Sequence, residues 1–263
     1  MTNMKSSSEV LNIVVPMAGF GSRFQDAGFT LPKPLIPVFG QPMVSLVIDN
    51  IRPRTPHRFI FVLQREAANE NGLDDLLRQW APGCEIILLD GVTDGAVCTV
   101  LTAKSLIDTD SPLMIANCDQ YVDIDIDDYL AHMDNEQADG MIMTMWADHP
   151  KWSYVRFDED KIPCEVVEKQ VVSNEATVGI YNYRRGDVFV KAAETMITKN
   201  LLVNNEFYVA PAYNEMLADG ARLCLYNVGS EYAGMYGLGT PADYEMFQEL
   251  VNNGKIPGFR QVA

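Results

Sequence analysis

At 263 residues, with 48% hydrophobic and 21% charged side chains, the chain is long enough to bury a substantial core, as one large α/β domain or two small ones. A net charge of −16, from 36 acids against 20 bases, repels nucleic acid and anionic membrane surfaces and argues against a polyanionic partner. A small anionic substrate would need a local basic pocket or a metal ion to offset that field.

The chain opens on MTNMKSSSEV, polar with one lysine, which reads as a loose tail over residues 1–10 with neither signal peptide nor membrane span. The short apolar runs LNIVVPMA, RFIFVLQ, CEIILLD and SPLMIANCD read as buried strands. Residues 43–52, 72–80 and 95–108 between them read as helices. This alternation predicts a Rossmann-like, doubly wound α/β sheet covered on both faces, with ligands bound beyond the carboxyl ends of its strands. After Asp119 come GMIMTMW, SYVRFDE, CEVVEKQ and ATVGIYNY with no helix between them, which predicts antiparallel additions and a mixed sheet with a lid-like ribbon near the site. Helices are expected again over 186–199 and 206–219, a strand over 222–228, and a closing helix from about 241. No linker or repeat interrupts residues 11–263, so a single domain is expected. The five cysteines, at 84, 98, 118, 164 and 224, form no C-x-x-C pair and read as free thiols of a reducing cytoplasm.

AGFGSRF, directly after the first strand, has three readings. It is a tight strand-to-helix turn, a dinucleotide fingerprint, or a cradle for the phosphates of a nucleoside triphosphate. The fingerprint needs glycine where Phe24 stands, and TLPKPLIPV breaks the helix that should follow. The cradle reading uses backbone N–H groups along Ala18, Gly19, Gly21 and Ser22, with Arg23 as a planar donor. Lys33, between Pro32 and Pro34, sits on a stiff extended segment and loses little freedom on meeting a phosphate.

The long pattern PMAGFGSRF…LPKPLIPVFGQPM resembles the G-x-G-x-R…P-K signature of the sugar-phosphate nucleotidylyltransferases, the nucleoside-diphosphate-sugar pyrophosphorylases. Further matches at GAVCTVLTA, ANCDQ, VVEKQ…TVGIYNY, NNEFYVAPAYNEML and YGLGTPADYEMF extend the resemblance over roughly residues 11 to 250. It implies the nucleotide-diphospho-sugar transferase fold, and its GSRF…PKPL form is similar to members from surface-polysaccharide pathways. It also implies an Mg²⁺-dependent condensation of a nucleoside triphosphate with a sugar 1-phosphate or similar acceptor, pyrophosphate leaving.

Asp119 closes the run PLMIANCD, at the binding edge of the sheet. The resemblance puts the metal-binding aspartate there, although a helix cap would also explain it. The family's second metal aspartate corresponds to Gly237, so either Asp119 serves with water and phosphate, or Glu231 or Asp243 substitutes, or activity is altered or lost. The D-x-D acids at 123–127 raise a rival, a metal-dependent glycosyltransferase, though acids leading into DIDDYLAHM also suit the first turn of a helix. The resemblance suggests sugar hydroxyls for Glu168 and the acceptor phosphate for Lys169. Strand alternation would aim the two apart unless the chain twists or ends there. Gly179 either admits a sugar or marks a bend, and Glu206 is a sugar contact or a first-turn helix acid. Gly95 and Ala96 match the region that meets the base, or begin a helix. His57, His132 and His149 lack ligand spacing and read as surface residues. Met141, Met143 and Met145 read as packing. Lys33, Arg23 and the glycine loop would neutralise the α-phosphate and hold the departing pyrophosphate. A non-catalytic nucleotide-binding module is the remaining alternative. The base, the acceptor and any homo-oligomer stay open.

Overall fold

The computed structural model describes residues 10–19 and 21–259. Of the tail expected over residues 1–10, only Val10 lies among them; Phe20 lies outside them too. The strands are β1 (Leu11–Pro16), β2 (Pro37–Val38), β3 (Gln41–Pro42), β4 (His57–Gln64), β5 (Glu85–Leu89), β6 (Leu113–Ala116), β7 (Gln120–Val122), β8 (Gly140–Trp146), β9 (Tyr154–Phe157), β10 (Pro163–Val167), β11 (Glu175–Tyr183), β12 (Leu223–Glu231) and β13 (Gly234–Gly237). The main sheet runs β5-β4-β1-β6-β11-β8-β12-β13-β7, and the β9–β10 ribbon joins it through β11. Neighbours among β5, β4, β1 and β6 are parallel. β11 is antiparallel to both β6 and β8, which makes the sheet mixed.

Alternation along β1 divides the interior. Ile13 and Val15 enter one cluster with Phe59, Phe61 and the apolar face of the helix Met43–Ile51. Val14 enters the opposite cluster with Ile60, Val62 and the helices Ala96–Leu101 and Gly186–Thr198. Both faces are covered, as near-continuous apolar parallel strands require. Each large apolar side chain so buried contributes about 1.5–3 kcal/mol.

A third cluster lies under the loop after β1. It holds Phe24, Ile36, Val38, Tyr121, Tyr236, Leu238 and Phe247. Phe24, the bulky residue that rules out close helix–strand packing, is buried in it. Its ring meets Phe29 edge-on at 5.2 Å and Tyr244 at 6.4 Å. The Tyr244 hydroxyl donates to the Pro37 carbonyl at 2.8 Å. The loop that starts at Gly21 is thereby fastened to the helix Pro241–Asn252.

Three helical expectations change. The helix expected over 95–108 is two pieces, Ala96–Leu101 and Lys104–Ile107. The one expected over 72–80 starts at Leu73, because Gly72 in the left-handed region (φ 58°) separates it from Arg65–Asn71. The helix expected over 206–219 is a 3-10 turn at Ala210–Ala212 followed by Tyr213–Ala218. Glu206 is outside it: Asn204 and Asn205, both at positive φ, make a tight turn that pairs Val203 with Glu206. No described helix is long and apolar enough to cross a membrane.

Candidate active site

The carboxyl ends of β1 and β6 carry the first group of candidate site residues. Beyond β1, Gly21 adopts φ +63°, and a Cβ on it would stand 3.0 Å from the Lys33 Cβ. Glycine therefore serves both the turn and the passage of Lys33 across it. Gly19 has open space on its side-chain face. Ser22 and Arg23 begin the short helix Ser22–Asp26 and are exposed, while Ala18 is buried and its carbonyl accepts from the Gln64 amide at 2.9 Å.

Lys33 starts a 3-10 turn, Lys33–Leu35, after the extended Pro32 (φ −60°, ψ 144°). Its ammonium donates to the carboxylate of Asp119, 86 residues away, and their side chains are only 17% and 26% exposed. Burial alone would lower the Lys33 pKa. The Asp119 charge, helped by Cys118 and the hydrogen bond to Asp119, outweighs it and leaves the pKa raised, with Arg23 close enough to oppose that slightly. Lys33 is held as a cation. The neighbouring Cys118 thiol is pushed up to about 11 by burial and by the Asp119 charge, so it stays protonated. Asp119 stands three residues past the end of β6, and its carbonyl accepts from the Leu238 N–H at 2.7 Å.

Asn117, Gln120 and Gly179 form the joint between this group and the next. The buried Gly179 (φ +94°) interrupts the register of β11 against β8, and a Cβ there would stand 2.2 Å from the Asn117 amide nitrogen. Gln120 is 5% exposed, and its amide nitrogen has no hydrogen-bond partner.

The second group sits on the β9–β10 ribbon and the 203–209 turn. β10 ends at Val167, and Lys169 takes a left-handed conformation (φ 56°) with its N–H bonded to the Trp152 carbonyl. Glu168 and Lys169 thus lie in a turn past the strand, not on it, which releases them from strand alternation. Glu168 accepts from the Ser153 hydroxyl. Burial raises its pKa, and the nearby Glu206 adds to this against Ser153 and Lys169. Lys169 donates to the Tyr208 hydroxyl at 2.6 Å. That bond chiefly raises the lysine's pKa, with Glu168 and Glu206 contributing. Glu206, exposed on its turn, therefore belongs to the same constellation as Glu168 and Lys169.

Gly95 has a reason internal to the fold. At φ +130° it caps the helix Ala96–Leu101, and a Cβ would come within 2.5 Å of the Phe207 backbone nitrogen and oxygen. Phe207 N–H donates to the Asp94 carbonyl at 2.9 Å, and the Val97 N–H to the Phe207 carbonyl at 3.1 Å. The docking of Phe207 sets Glu206 and Tyr208 beside the ribbon, and leaves Ala96 exposed at the helix start.

The other acids have structural work. Asp125 caps the helix Ile126–Asn135 by accepting from the Asp127 N–H at 2.9 Å. Both aspartates hold Arg54, so the D-x-D stretch is a helix cap with a bound arginine. Glu231 pairs with Lys151 at 2.6 Å. Asp243 accepts from the hydroxyls of Thr240 at 2.7 Å and Tyr232 at 3.1 Å, and Thr240 caps the helix Pro241–Asn252 by accepting from the Asp243 N–H. Sequence reasoning missed Ser153, Tyr208, Asn117 and Gln120. Asn117 and Gln120 flank Asp119 within ANCDQ, a visible signal, whereas nothing in KWSYV marks Ser153.

A family model for nucleotidyl transferases matches residues 13–217. Over 106 residues the chain is 32% identical to the bifunctional protein GlmU of Cupriavidus metallidurans, covering 40% of this chain and 21% of that protein, so it spans only a small part of that relative's length. The nucleoside-diphosphate-sugar pyrophosphorylase from Vibrio cholerae RC9 superposes with a TM-score of 0.74 at 22% identity, covering 90% of this chain and 99% of that one. The UTP-bound UGPase from Acinetobacter baumannii superposes with a TM-score of 0.68 at 18% identity, covering 94% and 95%. At these identities the two structures establish the fold.

Proposed function

The chain belongs to the nucleotidyl transferase family, and on that premise we propose that it joins a nucleoside triphosphate to a sugar 1-phosphate, or a similar phosphorylated small molecule, releasing pyrophosphate. The observation that carries this reading is the half-buried Lys33–Asp119 pair, set between Gly21 and Gly239 at the carboxyl edge of the parallel strands. An oxygen of the acceptor phosphate forms a bond to the α-phosphorus as the bond from that phosphorus to the bridging oxygen breaks. The attacking oxygen is already anionic, so no general base is needed.

The obstacle is the meeting of two anions, and the residues divide the work. Lys169, with Glu168 and Glu206 beside it, receives the acceptor's phosphate and hydroxyls, and Gly179 shapes the floor. Lys33 neutralises charge at the α-phosphate. Arg23 and the loop of Ala18, Gly19, Gly21 and Ser22 hold the departing pyrophosphate, while Gly95 and Ala96 border the base. Asp119 suits Mg²⁺, which takes one or two carboxylates with water and phosphate oxygens. Gly239 supports this fit, because a Cβ there would stand 3.0 Å from the Asp119 Oδ2. Bound there, Mg²⁺ would supply neutralisation of phosphate charge. The setting we propose is a single domain over 11–263 that works in the cytoplasm and supplies an activated sugar for surface polysaccharide. The extended GSRF…PKPL sequence supports that role.

The test is pyrophosphate release with Mg²⁺ across CTP, GTP, UTP, dTTP and ATP, each paired with a panel of sugar 1-phosphates and other small phosphorylated acceptors. One pair should give turnover, Asp119→Ala should abolish it, and Lys33→Ala should lower it by roughly 10²–10³, or about 3–4 kcal/mol of barrier, while remaining folded. Turnover within threefold of wild type would remove Lys33 from the mechanism. Saturable nucleotide binding without turnover on any acceptor would indicate a non-catalytic nucleotide-binding module.

A further inference from the structure

Two glycines two residues apart, Gly237 and Gly239, each face a carboxylate. An ideal Cβ on Gly239 would stand 3.0 Å from the Asp119 Oδ2 and 4.0 Å from the Lys33 Nζ. On Gly237, the three nearest atoms to such a Cβ all belong to Asp243, at 3.5 to 3.6 Å. Leu238, between the glycines, is buried in the third cluster and tied to the Asp119 carbonyl. The α-carbons of residues two apart cannot be separated by more than about 7 Å, so the two carboxylates border neighbouring positions of one short segment. Gly237 stands opposite Gln120 in the β13–β7 register, at the end of the strand pair from which Asp119 emerges.

We propose that Asp243 is the second carboxylate for the divalent cation of Asp119, reaching it across the space that a side chain on residue 237 would otherwise fill. The inference rests on the metal role of Asp119 proposed above. Glu231, the other nearby acid in sequence, is held by Lys151. Asp243 is held by two hydroxyls, Thr240 and Tyr232, and a change of its rotamer would free it. Thr240 Oγ still accepts from the Asp243 N–H after that change, so the helix keeps half of its cap.

The experiment is Mn²⁺ binding, followed by electron paramagnetic resonance on the full chain at moderate salt. The component lost in Asp119→Asn defines the site. Asp243→Asn, which keeps an oxygen for one hydroxyl and offers an amide donor to the other, should weaken that component by roughly 10-fold or more. Adding Gly237→Asp to Asp243→Asn should restore it to within about threefold, since φ at 237 is not in the left-handed region and its Cβ meets only ordinary contacts. Binding in Asp243→Asn within twofold of wild type overturns the inference and leaves the role of Asp119 standing. So does a loss that Gly237→Asp fails to repair while the melting temperature falls, which would mark a broken helix cap. If wild type shows no Asp119-dependent component, this inference fails together with the metal role of Asp119. Pyrophosphate release, measured separately, still judges the nucleotidyl transfer.

Discussion

Single residues here are tuned by what surrounds them. Lys33 lies between two prolines that limit its backbone, above a glycine that lets it pass, and against a carboxylate that fixes its charge. Its raised pKa means that the stabilisation from this pairing is complete below the ordinary lysine value of 10.5 and is lost only as pH climbs through the folded value. Glu168 follows the same sign in its own, lower pH range. Its folded pKa lies above the ordinary 4.5, mainly because of burial, so the folded chain holds more protons than the unfolded one just above pH 4.5, and stability falls as pH rises through that window. Glu168→Gln should flatten this slope in urea midpoints measured from pH 4 to 7. An unchanged slope would mean that the carboxylate is solvated in the native state.

At the scale of elements, the pieces that build the site are turns placed by strands. Gly95 shows the cost of altering one. Gly95→Ala forces a Cβ to within 2.5 Å of the Phe207 backbone at φ +130°, and should destabilise the fold by about 1–3 kcal/mol in chemical denaturation. It should also weaken acceptor binding, because the turn carrying Glu206 and Tyr208 must move. A variant with wild-type stability would show that this turn is not docked through residue 95. The parallel strands and their order of burial were legible in the sequence, since a run such as NIVV buried on both faces leaves no other assignment. The glycine turn after β1 and the place of Asp119 just past β6 were legible because each follows a run that reads as a strand. The turn at 203–206 was not, because the apolar content of FYVAPAYNEML resembles a helix, and only the docking of Phe207 on Gly95 delays its start. Ser153 and Tyr208 were hidden because their roles come from pairing at a distance: Ser153 with Glu168, 15 residues on, and Tyr208 with Lys169, 39 residues back.

For the whole molecule, the charge of −16 acts over a range that salt controls. At about 0.01 M salt the Debye length is near 30 Å, so an approaching nucleotide senses the entire negative surface. At 0.15 M it is near 8 Å, and only the nearest charges matter, the cations Arg23, Lys33 and Lys169 and the acids beside them. Stopped-flow association of the productive nucleotide should therefore quicken as salt rises over this range, and a slowing would mean that the local basic field dominates even at a distance. The third cluster carries another consequence, for the order of folding. The clamp on the loop after β1 comes from Tyr244, Phe247 and Phe259, more than two hundred residues further along the chain. During synthesis, at about 5–20 residues per second, that loop must wait for these aromatic rings to be made. A nascent chain can pair β1 with β4 early, but the loop after β1 is secured last.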